Sequence, residues 1–130
     1  MKKKANSQAS YTAEALIDPI VKGMEEKKAN EIKIFDLRNT GHAVCDFFVI
    51  CSADSSTQVD AIAYSVEEFV KKELGESPWK SEGFENKEWI LIDYVDVVVH
   101  VFQTSVREFY MLEKLWADAK IREVTEVSNS

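Results

Sequence analysis

The chain reads as an α/β (α+β) domain, a small mixed β-sheet of about five strands flanked by three main helices. Asp46 to Cys51, DFFVIC, is a continuous apolar run of strand length, rich in aromatic and β-branched side chains, as a strand covered on both faces requires. Ser55 follows closely and opens a long helical stripe, so strand and helix make the step that leads to a parallel neighbour by a right-handed crossover. Trp89 to Phe102, WILIDYVDVVVHVF, holds two apolar runs of period two with almost nothing between them, the pattern of a tight hairpin.

Taken in order, Leu16, Ile17, Ile20, Val21 and Met24 follow helical spacing from Ala13, with Thr12 placed to cap the first turn. Pro19 conflicts with an unbroken helix: either the helix is kinked there, or it starts afresh with Asp18 as cap and Pro19 first. Glu31 to Arg38, EIKIFDLR, reads as a strand ended by the turn chemistry of Asn39, Thr40 and Gly41. After the central strand, Ser55 and Gln58 form a capping box. Val59, Ile62, Ala63, Val66, Phe69, Val70 and Leu74 then build an amphipathic face that Gly75 terminates. Trp79 to Phe84 is a short strand after Pro78. Beyond the hairpin, Ser105 and Glu108 make a second capping box ahead of a helix faced by Phe109, Leu112, Leu115, Trp116 and Ala119.

At 130 residues the chain is the size of one domain and can bury a core without disulfide or metal staples. Residues 1–11 are expected to be a disordered N-terminus, 12–121 the single domain, and 122–130, polar with little to bury, a loose C-terminal tail. Sixteen basic against twenty-three acidic residues give a net charge of -7, which repels a phosphate backbone and suits a basic protein partner. Little direct contact with nucleic acid is expected. Cys45 and Cys51 lie too far apart along an extended segment to join, which fits reduced thiols. No run approaches the roughly 18 apolar residues of a membrane span, and the start MKKKANSQASYTAEAL lacks the apolar core of a signal peptide. A cytoplasmic protein is expected, with no membrane contact.

Few residues invite catalysis. Asp93 and Asp96 are paired acids of the kind that hold magnesium or divide acid and base work, but at a turn such side chains bond nearby backbone instead. Val95 sits between them, where a positive φ is costly for a β-branched residue. Ser52 to Ser56, SADSS, lies at a helix start without the glycines or the lysine of a phosphate loop, so capping explains it. His100 shares a strand face with Val98 and Phe102 and reads as a neutral, hydrogen-bonded core imidazole. His42, Cys45, Cys51 and His100 lack the spacing of a zinc site, and no serine sits in a nucleophile elbow. No cofactor, no metal and no enzyme activity are expected. The alternative is a metal-dependent nucleotidyl or phosphoryl transferase using Asp93, Asp96 and the Ser52 to Ser56 loop.

A set of segments in one order carries a resemblance. These are Asp36 to Arg38 (DLR), the DFFVIC strand with Ser55 to Val59 (SSTQV), Glu82-Gly83, and WILIDYVDVVVHVF, followed by Arg107-Glu108-Phe109-Tyr110 and Leu112-Glu113-Lys114-Leu115-Trp116. Over about Leu16 to Lys120 the sequence resembles the ribosomal silencing factor family, RsfS or Iojap-like. The family's usual DYGDVVVHVF has glycine where this chain has Val95. The resemblance implies a small mixed sheet flanked by helices, distantly similar to the nucleotidyltransferase fold, with no established catalytic role. It also implies a translational repressor that binds the large ribosomal subunit through a basic L-fourteen-type ribosomal protein and sterically blocks joining of the small subunit when nutrients are short. Carried onto this chain and joined to interface physics, it marks Trp89 and Tyr110 as aromatic anchors and Glu82, Asp93 and Asp96 as acidic orienting groups. Without a ribosome, the open sheet edge or the hairpin offers pairing with a second copy as a homodimer.

Overall fold

The computed structural model describes residues 12–40, 45–110, 114 and 119–124, with the side chains of Phe109 and Tyr110 outside that description. Its elements are α1 (Ala13–Glu26), β1 (Asn30–Asp36), β2 (Phe47–Ala53), α2 (Ser56–Leu74), β3 (Lys80–Glu82), β4 (Trp89–Asp93), β5 (Val97–Gln103), α3 (Thr104–Tyr110) and β6 (Lys120–Glu123). The mixed α and β class stands, with one strand more than expected: six strands lie in the order β3-β4-β5-β2-β1-β6. β2 and β5 run parallel, and every other neighbouring pair is antiparallel. The DFFVIC segment is central, as its unbroken apolar run requires, and all of Phe47–Ala53 is buried.

The added strand corrects the expected tail. Arg122 and Glu123 do not lie loose but pair with β1, where Ile121 stands opposite Phe35 and Glu123 opposite Lys33. The Val124 N–H donates to the Ile32 carbonyl at 2.9 Å. β6 is an exposed edge strand, so it needs no apolar alternation and its sequence announces nothing.

α1 begins where Thr12 caps it, the hydroxyl accepting from the Ala15 N–H at 3.3 Å. Of the two alternatives at Pro19, one helix runs through it, with the ring buried and no N–H to offer the Ala15 carbonyl. Leu16, Ile17, Ile20 and Met24 face α2 and the sheet. Gly23 lets the two helices close: a Cβ there would stand 2.7 Å from Val66 Cα, and Ser65 Oγ donates to the Gly23 carbonyl at 2.8 Å. α2 starts at the expected cap, Ser55 Oγ accepting from the Gln58 N–H at 3.1 Å. The expected capping box is half made, because Gln58 Nε2 reaches instead across to the Lys27 and Lys28 carbonyls at 3.0 and 3.3 Å, satisfying the end of α1. Gly75 closes α2 at φ 70, as expected.

α1 and α2 cover one sheet face, packing on Val49, Cys51, Ile90, Ile92, Val97, Val99 and Val101. The opposite face carries Phe35, Leu37, Phe48, Ile50, Val98 and Phe102, with Val106 of α3 and Ala119 against them. α3 corrects another expectation. It starts at Thr104 straight out of β5, so Ser105 lies inside it and does not cap it. The Thr104 hydroxyl is what meets the preceding loop, donating to Asp54 Oδ1 at 2.8 Å with the Ala53 carbonyl at 3.2 Å. Arg107 is buried, its Nη1 donating to the Glu31 carbonyl at 2.8 Å beside Ser52 Oγ at 3.3 Å, where β1 bulges with Glu31 at φ 51. Of the expected helix face, Leu112, Leu115, Trp116 and the Phe109 side chain lie outside the described residues.

Candidate functional site

The hairpin of β4 and β5 is joined through Tyr94 to Asp96. Tyr94 N–H donates to the Val97 carbonyl at 2.9 Å, and Asp96 N–H returns to the Tyr94 carbonyl at 3.0 Å, an i to i+2 closure around Val95 at φ 77. That is a γ-type reversal with a β-branched residue at its centre. Asp93 Oδ1 braces it by accepting from the Val95 N–H at 2.7 Å. The Asp96 carbonyl accepts from the N–H groups of Asp46 and Phe47 at 2.8 and 3.2 Å, pinning the turn to the start of β2.

Cross-strand register then decides which expected residues meet. Trp89 stands opposite Phe102, Leu91 opposite His100 and Asp93 opposite Val98. On the other side, Glu82 stands opposite Leu91 and Lys80 opposite Asp93. Since paired residues share a face, Glu82, Trp89 and Asp93 come together on the sheet face away from α1 and α2, around half-buried Leu91. Leu91 and Lys80 were not among the expected site residues, although the alternation Trp89, Leu91, Asp93 signals the first of them. Asp96 lies off this face, exposed at the turn, and Tyr110 ends α3 with its side chain outside the described residues. Glu82 is exposed on the edge strand, 3.2 Å from Lys80 Nζ.

Trp89 is held by its neighbours. Its ring stacks on Phe102 at 4.9 Å between centroids, and its Nε1–H donates to His100 Nδ1 at 3.0 Å. An Nδ1 that accepts leaves the neutral imidazole with its proton on Nε2, and burial pushes the His100 pKa down to about 4. The expected neutral core histidine is present, though Nε2 is buried with no hydrogen-bond partner among the described residues.

The end of the sheet beside the turn is acidic. Burial raises the Asp46 pKa first and the Asp96 charge raises it further, while Arg38 opposes both. Asp36 is held down at about 2, chiefly by its hydrogen bonds from Arg38 Nε and Nη2 at 2.9 and 2.7 Å. Cys45 is pushed up to about 11 by burial and then by Asp93, and Cys51 to about 12 by burial, so both thiols stay protonated and weakly nucleophilic at neutral pH.

Four of the groups that suggested catalysis are engaged in structure. Asp93 Oδ1 braces the turn, Ser55 caps α2, Ser52 Oγ lies between Arg107 and the Asn30 carbonyl, and Asp54 accepts from Thr104. Among the described residues, no group of three or more His, Cys, Asp or Glu side chains is placed to hold a metal ion. No helix among them is long and apolar enough to cross a membrane.

Comparison with known proteins bears on the chain as a whole. The family model described as "Ribosomal silencing factor during starvation" matches residues 10–130. A ribosomal silencing factor of Halalkalibacterium halodurans is 39% identical over 86% of this chain and 94% of its own length. One of Bacillus subtilis is 40% identical over 77% of this chain and 83% of its own. A crystal structure of a Chromobacterium violaceum protein superposes with a TM-score of 0.76 at 33% identity, covering 82% of this chain and 88% of that one. With a family model spanning nearly every residue and relatives aligned over most of both lengths, this chain belongs to the ribosomal silencing factor family.

Proposed function

We propose that this protein represses translation in the cytoplasm by binding the large ribosomal subunit and occupying space that the small subunit needs. The contact is a basic L-fourteen-type ribosomal protein, met by the half-buried face of β3 and β4 around Trp89 and Leu91. What supports this reading is the character of that face: a half-buried Trp89 and Leu91, flanked by Glu82 and Asp93, which outnumber the Lys80 beside them, with Asp96 and Asp46 at the neighbouring end. An aromatic and aliphatic centre with an acidic rim is the arrangement that anchors and orients a basic protein surface. Tyr110 is assigned to the same contact as a second anchor. Blocking by occupancy needs no bond making, which agrees with an Asp93 side chain engaged in bracing the turn and with two protonated thiols.

The free protein pairs with a second copy through its exposed β3 edge. In an antiparallel two-fold pairing centred on Ser81, Lys80 of each copy faces Glu82 of the other, so the edge is complementary to itself.

Sedimentation with isolated large subunits, with and without their L-fourteen-type protein, tests the partner. Co-sedimentation is expected only when that protein is present, and small-subunit joining should fall in proportion to occupancy. Binding to particles that lack it, or normal joining by fully coated particles, refutes the proposal. Trp89→Ala is expected to remain folded and to lose affinity; a folded variant with unchanged affinity removes Trp89 from the contact.

A further inference from the structure

We propose that His100 is a positioning residue for Trp89, fixing its indole on the sheet face away from α1 and α2 in the orientation a partner meets. This rests on the reading of Trp89 as a contact. His100 is 5% exposed in a strand whose other buried residues are valine and phenylalanine, and an apolar ring there would leave no polar nitrogen to satisfy. Its Nε2 has no hydrogen-bond partner among the described residues. What the imidazole supplies that phenylalanine does not is an acceptor, and Nδ1 is spent on the indole N–H at 3.0 Å.

The surroundings show why an acceptor matters. Trp89 stacks on Phe102 at 4.9 Å and 29°, and the His100 ring lies nearly parallel to Phe102, 6.1 Å away and 8° inclined. Phe48 meets His100 edge-on at 4.6 Å and 73°, bracing the imidazole from β2. Stacking alone tolerates an indole turned over about its Cβ–Cγ bond, because either side of the ring covers Phe102. A directional N–H to Nδ1 bond tolerates only one of the two orientations. The bond is diagonal across the hairpin, since His100 is cross-strand from Leu91 while Trp89 is cross-strand from Phe102. Holding the side chain in one state before binding removes an ordering cost that the complex would otherwise bear.

The test compares His100→Phe, which keeps an aromatic ring but has no acceptor, with His100→Asn, whose Oδ1 can take the place of Nδ1. In the intact protein, His100→Phe is expected to weaken large-subunit binding about five-fold, mainly through faster dissociation, and His100→Asn to restore most of it. In a Trp89→Phe background, which has no indole N–H, His100→Phe should have no further effect on affinity. Unchanged binding by folded His100→Phe, when Trp89→Ala has lost affinity, overturns the positioning role and leaves the contact intact. Unchanged binding by Trp89→Ala overturns the contact itself. Should His100→Phe fail to fold, hydrogen exchange of the indole N–H in the unaltered protein decides: that of Trp89 should be protected relative to that of Trp79, which is 69% exposed. Equal exchange at the two overturns the inference.

Discussion

Replacing Val95 by glycine is expected to stabilise the domain, because the turn holds a β-branched residue at φ 77. A non-glycine residue in that region costs roughly 1–3 kcal/mol, with β-branched side chains at the upper end. Glycine removes that strain but enlarges the entropy of the unfolded chain, which takes back about 0.5–1 kcal/mol. The side chain is 45% exposed, so little burial is lost with it. The net gain is about 1 kcal/mol, or roughly 3–6 °C in Tm for a domain of this size. Val95→Ala is the control, since it removes the same branch yet keeps Cβ. Urea unfolding followed by tryptophan fluorescence and far-ultraviolet dichroism gives both stabilities, with m expected unchanged. Glycine should exceed alanine by about 1 kcal/mol. On a backbone of ordinary negative φ the order reverses, alanine leading by roughly 0.4–1 kcal/mol, and that reversal refutes the reasoning.

Other outcomes follow from the packing and the charges. Gly23→Ala should destabilise by about 1–3 kcal/mol in thermal unfolding, because the added carbon meets Val66 Cα at 2.7 Å and the Ser65 carbonyl at 2.9 Å, both backbone. An unchanged or higher Tm would show that α1 and α2 can part freely. His100 is neutral in the fold, with its pKa pushed down to about 4 from an ordinary 6.5, so the unfolded chain takes up the proton first. Its contribution is complete above pH 6.5 and lost as pH falls to about 4, by at most roughly 3 kcal/mol. Urea titrations at pH 7 and pH 4.5 should show that part of the loss absent in His100→Asn, and an equal loss in both proteins would refute it. If Glu82, Asp93 and Asp96 steer docking, the association rate with large subunits should fall steeply as salt rises. A flat response would assign the contact to apolar groups alone.

Much of the architecture was legible because its signals are local. Thr12, Ser55 and Gly75 mark helix ends through bonds within one turn, and DFFVIC declares a buried central strand by having no polar alternation. β6 was missed for the opposite reason. A polar edge strand buries nothing of its own, and only β1 beside it makes Lys120–Glu123 a strand. Ser105 misled because a capping-box pattern shows which residues can cap, not where the helix leaves the preceding strand.

The candidate face divides along the same line. The strand pair, the alternation that puts Trp89, Leu91 and Asp93 on one side, the acidic balance and the family are legible before folding, because all of them follow from neighbours along the chain or from the pattern as a whole. It takes the folded sheet to bring Glu82 to them, to leave Asp96 apart, and to let His100 Nδ1 accept a hydrogen bond from the Trp89 indole N–H. Those are questions of register between strands, and a slip of one residue would turn every side chain to the other face. Register here is set by a two-residue change of direction at Val95 and Asp96 and by the carbonyl that ties it to β2, bonds between residues up to fifty positions apart.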